Sequence, residues 1–370
     1  MPTTLTEADF SRLFLDDVPM IDLRAPIEFT QGSFAHATSL PLMSDDERAA
    51  LGTCYKEQGQ DAAIVLGHQL VSGEIKAARL AAWQAFIEQH PNGVLYCFRG
   101  GLRSRTTQQW IIDHCGVDYP RVEGGYKALR RFLIDSTERL IDQMNIVVLS
   151  GRSGTGKTRL LKQLNNGIDL EGLANHRGSA FGQTTTAQPT QINFENNLAV
   201  ALLKAEAAGL STLVFEDESR NIGSLHLPAS LHSKMSQSPI VNLEVTDSDR
   251  VDITVQEYAC DIHQAYLAQL GDEQKALEAL ENHLLASLAK LRKRLGGVRY
   301  AHLEREMKRA VKQLLDNQGY KGFAVVFGEL LLDYYDPMYD YQIGKKLKRI
   351  QYQGDREAVL SYLQSPNVGV

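Results

Sequence analysis

The segment that most limits the fold is Asn145 to Leu164, "NIVVLSGRSGTGKTRLLKQL". An apolar run of strand type passes into Gly151-x4-Gly156-Lys157-Thr158 and then directly into a helical pattern. Strand, glycine loop and helix in that order is the context in which this motif binds phosphate. The glycines, Gly151, Gly154 and Gly156, let successive backbone N–H groups turn inward at a positive helix terminus, an anion nest. Lys157 adds a mobile charge for terminal phosphates, and Thr158 offers a hydroxyl to a magnesium ion. The surrounding chain is therefore expected to be α/β and P-loop NTPase-like.

Further along, a buried strand from Thr212 to Phe215 runs into Glu216, Asp217 and Glu218. An acid at the end of a neighbouring strand holds the metal in phosphate-loop proteins. Asp217 or Glu216 fits that role, and Asp217 is taken as the candidate magnesium partner beside Thr158. "NHRGSAFG" follows another strand-like run, "GIDLEGL", and brings His176 and Arg177 to the same edge. Arg177 is a candidate phosphate clamp.

A chain of 370 residues is too long for one ordinary core, so two domains are expected. The first half alternates strand-like runs ending near Asp22, at "GVLYCF" and at "YPRVEGG" with helical stretches such as "RTTQQWIIDHCG", which Gly116 stops. That order suggests a parallel sheet with helices on its faces. The helix "KALRRFLIDSTERLIDQM" leads out of it. The expected division is residues 1–141 and 142–370, the second part ending in a mainly helical, basic region.

This sheet places Cys97 just past a strand's carboxyl end, where α/β folds bind ligands. The loop "YCFRGGLRS" combines that thiol with Gly100, Gly101, Arg99 and Arg103. Cations and inward-pointing N–H groups stabilise a thiolate, and also a persulfide or a bound oxyanion. Two reactions stay open: carrying a chalcogen atom, or accepting a phosphoryl group. Both need a thiol that a reactant can reach. Cys-x5-Arg phosphatases usually carry His before the cysteine, where this chain has Tyr96, and no evident general acid follows.

Cys54, Cys115 and Cys260 read as small packed residues. The four cysteines form neither a zinc pattern nor a disulfide framework. With 43% hydrophobic and 23% charged residues, no membrane-length apolar run and no signal-type N-terminus, a cytoplasmic enzyme is expected. The net charge of −6 does not suggest a nucleic-acid binder, but local charge differs. Leu291 to Gly322 holds nine Lys and Arg against three acids, and "GKKLKR" covers Gly344 to Arg349. Such clusters contact phosphates or form solvated helix faces. Tyr334, Tyr335, Tyr339 and Tyr341 lie beside the second cluster, suited to base stacking or to a packing seam.

"IDLRAPIEFTQGSFAHATSLPL" resembles the opening of a rhodanese domain through Asp22, Arg24, Glu28, Gly32, Ala35 and Pro41, and "VEGGYKAL" resembles its close. The stretch "MSDDERAALGTCYKEQGQDAAIVLGHQLVSGEI" is long for a single such domain. A rhodanese-like part followed by a phosphate-loop part, with "GTCYKEQGQDAAIVLG", "YCFRGGLRS" and "SGRSGTGKT", resembles the tRNA 2-selenouridine synthases from about Phe10 to Lys348. The resemblance implies replacement of sulfur by selenium in a wobble 2-thiouridine, in the anticodon region of tRNA. Selenophosphate is the implied selenium donor, and a selenophosphate-supplying enzyme is a candidate partner. It further implies S-geranylation from geranyl diphosphate as the step before exchange.

On this resemblance Cys97 is the nucleophile or selenium carrier. Arg99, Arg103 and the Gly100 and Gly101 amides hold its adduct or selenophosphate. The phosphate loop holds the diphosphate, with magnesium, and the basic helices from Arg292 dock tRNA. Two alternatives stand beside it: an ATP-dependent tRNA sulfurtransferase, and a nucleotide-gated RNA-binding protein with a vestigial rhodanese domain.

Overall fold

A computed structural model describes residues 2–365 of the chain. Contacts group Met1–Asp142 with Thr190–Gly209 as one unit, and Gln143–Pro189 with Leu210–Val370 as the other.

In the first unit the strands Thr4–Leu5, Arg121–Val122, Val94–Tyr96, Met20–Asp22 and Ala37–Ser39 lie side by side in that order, all parallel. The expected parallel sheet is therefore present. Met20–Asp22 and Val94–Tyr96 are buried at every residue. Helices covering both faces of a parallel sheet bury its strands in this way. The buried pair of Asp22 and Arg24 fixes the bend after the first of these. Arg24 Nη2 lies 2.6 Å from Asp22 Oδ2 and donates to Gly32 O at 2.7 Å. Its guanidinium sits 3.6 Å from the Tyr126 ring centroid, and Tyr96 donates its hydroxyl to Asp22 at 2.8 Å.

The long stretch after Met43 becomes a helix, Asp45–Leu70, broken at Gly59 into two segments by a non-helical backbone (φ 87°, ψ −176°). Ser44 caps its start. The Ser44 side chain accepts from Glu47 N at 3.2 Å, and Glu47 accepts from Ser44 N at 2.7 Å. Ser44→Ala is expected to cost about 1 kcal/mol, the usual value of such a cap, measurable by urea denaturation.

In the second unit the order is Ile350–Gly354, Ile240–Leu243, Asn145–Ser150, Thr212–Glu216 and Gly167–Ile168, again all parallel. Asn145–Ser150 takes the central place, which is why "IVVL" is apolar throughout. The expected basic helices pack through a separate cluster that includes Leu284, Leu303, Met307 and Phe327. Helix Gly297–Leu315 buries Leu303, Met307, Ala310 and Val311, while Arg305, Lys308, Arg309 and Lys312 face water. That is the 3-to-4-residue alternation of a surface helix.

Two elements differ from the sequence-based expectation. "GIDLEGL" is strand only at Gly167–Ile168. Asp169 then caps a short helix, Leu170–Ala174, by accepting from Gly172 N at 2.6 Å. Helix Gln191–Ala207, expected in the second part, joins the first unit. Its polar face explains the placement. Asn193 Oδ1 accepts from Ser33 N at 2.7 Å, Asn196 donates to Ser33 O at 2.8 Å, and Arg130 donates to Asn196 Oδ1 at 2.8 Å.

Candidate functional site

Cys97 follows the strand Val94–Tyr96, and Leu102 opens the helix Leu102–Cys115. The intervening loop lies against the turn Glu123–Tyr126. Tyr126 N donates to Cys97 O at 2.8 Å and Lys127 N to Phe98 O at 3.0 Å. Only glycine fits at position 125. Its φ is 57°, and a Cβ there would lie 2.1 Å from Cys97 O and 2.5 Å from Gly100 N. Among the described residues, the amides of Phe98, Arg99, Gly100 and Gly101 donate to no backbone carbonyl. They remain free for an anion.

The thiol itself is not open to solvent. Cys97 is 2% exposed and belongs to the apolar core with Ile21, Leu95 and Ile111. Its Sγ lies 3.3 Å from Ser104 Oγ. This corrects the expectation of a reachable thiol. The residue ends a fully buried strand, and the tight backbone contact with Gly125 holds the loop down over it. The two arginines also divide. Arg103 donates to Glu28 at 2.9 Å, which holds the Glu28 carboxyl below its ordinary range against the opposing effect of burial. Arg99 is exposed, with its guanidinium 5.9 Å from the Phe98 ring centroid.

The phosphate loop of the second unit borders a cavity of about 440 Å³. Gly154 has a φ of 79°, and a Cβ there would lie 2.6 Å from Thr254 Oγ1 and 2.8 Å from Arg250 O. The back of the loop is held by Arg250, only 1% exposed, whose Nε donates to Ser153 O at 3.0 Å. Both outer nitrogens of Arg250 grip Asp336, at 2.9 and 2.5 Å. Lys157 Nζ donates to Gly151 O at 2.8 Å, a carbonyl with which a ligand phosphate would compete.

Arg177 lines the same cavity, as expected. It is tied to the helical segment beyond it through Glu257 O and, at 3.5 Å, Asp261. Lys346 and Arg349 line it too, from "GKKLKR", which reads from sequence either as a phosphate contact or as a solvated helix face. Lys346 Nζ bonds both Asp217 oxygens at 2.8 Å. Tyr339 donates to Asn242 at 2.7 Å, and Tyr334 and Tyr335 pack on the helical core. Tyr341 is 68% exposed, with Lys345 Nζ 4.0 Å from its ring centroid. The tyrosines thus divide between a packing seam and an exposed ring.

The acids sort differently from the sequence-based expectation. Asp217 accepts from Ser150 at 2.8 Å and pairs with Lys346. Thr158 donates instead to Glu171 at 3.1 Å. Burial, then the charge of Glu218, pushes Glu171 up to about 8. Burial, then the charge of Glu171, pushes Glu216 up to about 8. Burial, then the charge of Glu216, pushes Glu218 up to about 7. Glu171 carried no signal in the sequence because it reaches the loop from a helix that reads as strand.

Oε1 of Glu216 is buried without a hydrogen-bond partner, so it and the Thr158 hydroxyl fit a magnesium ion better than Asp217 does. Among the described residues no three His, Cys, Asp or Glu form a metal cluster. A phosphate-bound magnesium needs only one or two protein ligands.

The carboxyl shifts set a pH dependence. A folded pKa raised above the unfolded value means that the unfolded chain loses its proton first. Stability is then lost as pH climbs from about 4.5 to about 8. Glu171→Gln is expected to change stability little near pH 5 and to raise it increasingly towards pH 9, by on the order of several kcal/mol without magnesium or ligand. Thermal melts across that range check it.

A sequence profile described as the tRNA 2-selenouridine synthase AAA domain matches residues 144–368. The chain is 52% identical to the tRNA 2-selenouridine synthase of Marinobacter nauticus, over 96% of this chain and 97% of the relative. It is 50% identical to that of Azotobacter vinelandii, over 98% of each. No helix among the described residues is long and apolar enough to cross a membrane.

Proposed function

The chain belongs to the tRNA 2-selenouridine synthase family, and from that premise we propose that it exchanges sulfur for selenium in a wobble 2-thiouridine of tRNA. Selenophosphate supplies the selenium, and an S-geranyl nucleoside made from geranyl diphosphate is the intermediate. The observation that carries this reading is the cavity in which the glycine loop meets Lys157, Arg177, Lys346 and Arg349. Four cations share its lining with Glu171, Asp217, Glu218 and Glu257, a mixed set suited to a diphosphate with its magnesium.

In the first step the thiocarbonyl sulfur attacks the allylic carbon of geranyl diphosphate. The C–O bond breaks, diphosphate departs, and N3 of the base loses its proton. Loop amides and Lys157 stabilise the charge that develops on the leaving oxygen. Magnesium, held by Thr158 and Glu216, would share in that neutralisation when bound.

In the second step the Cys97 thiolate attacks C2 and expels geranylthiol, a far better leaving group than sulfide. The selenium of selenophosphate then displaces Cys97, and water takes the phosphoryl group. The balance is S-geranyl nucleoside, selenophosphate and water to selenouridine, geranylthiol and phosphate, with no change in selenium oxidation state. A Cys97 perselenide would require a two-electron oxidant, so the nucleophile role is the one assigned. Substrate entry lifts the loop 98–101 off the thiol. That movement breaks bonds that the loop carbonyls accept, among them Lys127 N to Phe98 O at 3.0 Å and Ser104 Oγ to Gly101 O at 3.1 Å, while the loop amides have no backbone acceptor to lose. Exposed Arg292, Lys293, Lys312 and Lys321 dock the RNA backbone.

Mass spectrometry of tRNA nucleosides, with selenophosphate and geranyl diphosphate supplied or withheld, tests the proposal. Selenouridine only with both, and S-geranyl nucleoside with geranyl diphosphate alone, is the expected result. Lys157-dependent ATP turnover, with product independent of geranyl diphosphate, would establish the ATP-driven sulfurtransferase instead. Nucleotide-dependent RNA affinity without any modified base would leave only a binding module.

A further inference from the structure

The long stretch Met43 to Ile75 is the sequence feature that the proposed chemistry leaves unused. Its two helical segments meet at Gly59 and fold back on each other: a Cβ at Gly67 would lie 3.4 Å from Leu51 Cδ2. These segments, together with the start of helix Leu102–Cys115, enclose a cavity of about 460 Å³. Leu42, Leu51, Ile64, Val71, Leu102 and Trp110 form much of its wall. Such a volume is within the ~300–1,000 Å³ typical of small-ligand sites.

Glu28, Arg48 and Arg103 are its acidic and guanidinium groups, and they are paired among themselves. Arg103 lies 2.9 Å and Arg48 3.9 Å from the same Glu28 oxygen. No uncompensated acid recommends a cationic occupant, and the walls suit a hydrocarbon chain. Leu102 and Tyr55, on the cavity's border, are 52% and 58% exposed. Large apolar side chains left in water beside a cavity mark an entrance for an apolar ligand.

The cavity also adjoins the thiol loop. Leu102 and Arg103 line it, and Ser104, the next residue, is 3.3 Å from Cys97 Sγ. One helical turn therefore carries both a cavity wall and the hydroxyl that touches the nucleophile.

We infer that this cavity binds an acyclic isoprenoid chain, the geranyl group of the S-geranyl nucleoside, while C2 is presented to Cys97. The inference rests on the S-geranyl reading above. The insertion then has a physical task. Burial of a ten-carbon chain, remote from the bond that breaks, positions C2 and supplies binding energy for exchange. A nucleoside with a short S-alkyl group would lack that hold.

Two readouts test this on the full chain. The protein has two tryptophans. Trp83 is 1% exposed in the core, and Trp110 borders the cavity. Titration with geraniol is expected to shift tryptophan emission saturably, and Trp110→Phe to remove that signal. Gly52→Phe adds bulk at a cavity-lining position where a Cβ meets nothing within 4 Å. Ile64→Gln makes the wall polar. Each is expected to weaken geraniol binding at least tenfold with a native circular dichroism spectrum. No saturable shift in the native protein, or native affinity in both folded variants, overturns the inference.

The second readout compares RNA carrying S-geranyl or S-methyl 2-thiouridine in the selenium exchange. The native protein should show a KM at least tenfold lower for the geranyl form, and Gly52→Phe should collapse the ratio towards one. An equal KM for both forms in the native protein also overturns it. If neither alkylated RNA reacts while 2-thiouridine RNA is selenated directly, the S-geranyl reading fails. The geraniol titration then still decides whether the cavity is an isoprenoid site.

Discussion

Cys97→Ala is expected to lose selenium exchange by at least ~10³-fold, the scale seen when a nucleophile is deleted from a covalent mechanism. Its products should be diagnostic. With geranyl diphosphate and selenophosphate both present, S-geranyl nucleoside should accumulate and selenouridine should not form. Cys97→Ser should fail similarly, because a serine hydroxyl is not ionised near neutral pH. The buried setting of the thiol sharpens the experiment. Cys97 packs in an apolar cluster and touches Ser104, so alanine removes little bulk and should leave the fold intact. Nucleoside analysis after a timed reaction, beside a thermal melt, separates lost chemistry from lost structure. Selenouridine formed at the native rate by a folded Cys97→Ala protein would remove this residue from the mechanism.

Lys157→Ala should fail at the opposite step. Loss of one positioned donor to a developing oxyanion typically costs ~10²–10³-fold in rate, and that loss is expected in geranyl transfer. S-geranyl nucleoside should therefore be nearly absent. RNA geranylated beforehand and supplied with selenophosphate should still be converted. Lys157 donates to Gly151 O at 2.8 Å and Arg152 O at 3.4 Å, so its removal frees two carbonyls and takes a positive charge from beside Glu171 and Glu218, which the thermal melt must account for. A native melt and a collapsed geranyl-transfer rate would together place the effect on the chemistry. Unchanged transfer from geranyl diphosphate would show that the glycine loop serves another anion.

What could be read from the sequence was governed by local pattern. "NIVVLSGRSGTGKT" announced a buried strand and its phosphate loop because strand burial and glycine spacing are properties of adjacent residues. Cys97 was placed at a strand end by the same logic. Its burial was not legible, since that depends on the backbone approach of Gly125. Asp217 was favoured as metal partner from its position after a strand. Lys346, distant in sequence, claims it in the fold, and Glu171 arrives at Thr158 from another element. Arg103 was read as a cradle for the thiolate, but Glu28 engages it from 75 residues away. Charge pairing between remote segments leaves no periodic trace. The cavity beside Trp110 was equally hidden: "GTCYKEQGQDAAIVLG" shows an unexplained length, and only the reversal at Gly59 turns that length into a wall.

The chain passes from one unit to the other at 142–143, returns at 189–190 and crosses again at 209–210. A cut after Asp142 would therefore strand Gln191–Ala207 on the wrong fragment, leaving Ser33 and Arg130 without their asparagine partners. Expressing either half alone would yield a damaged piece instead of an autonomous enzyme. The two steps have to be dissected by single substitutions within the intact polypeptide, since no scissors placed at one joint can divide them.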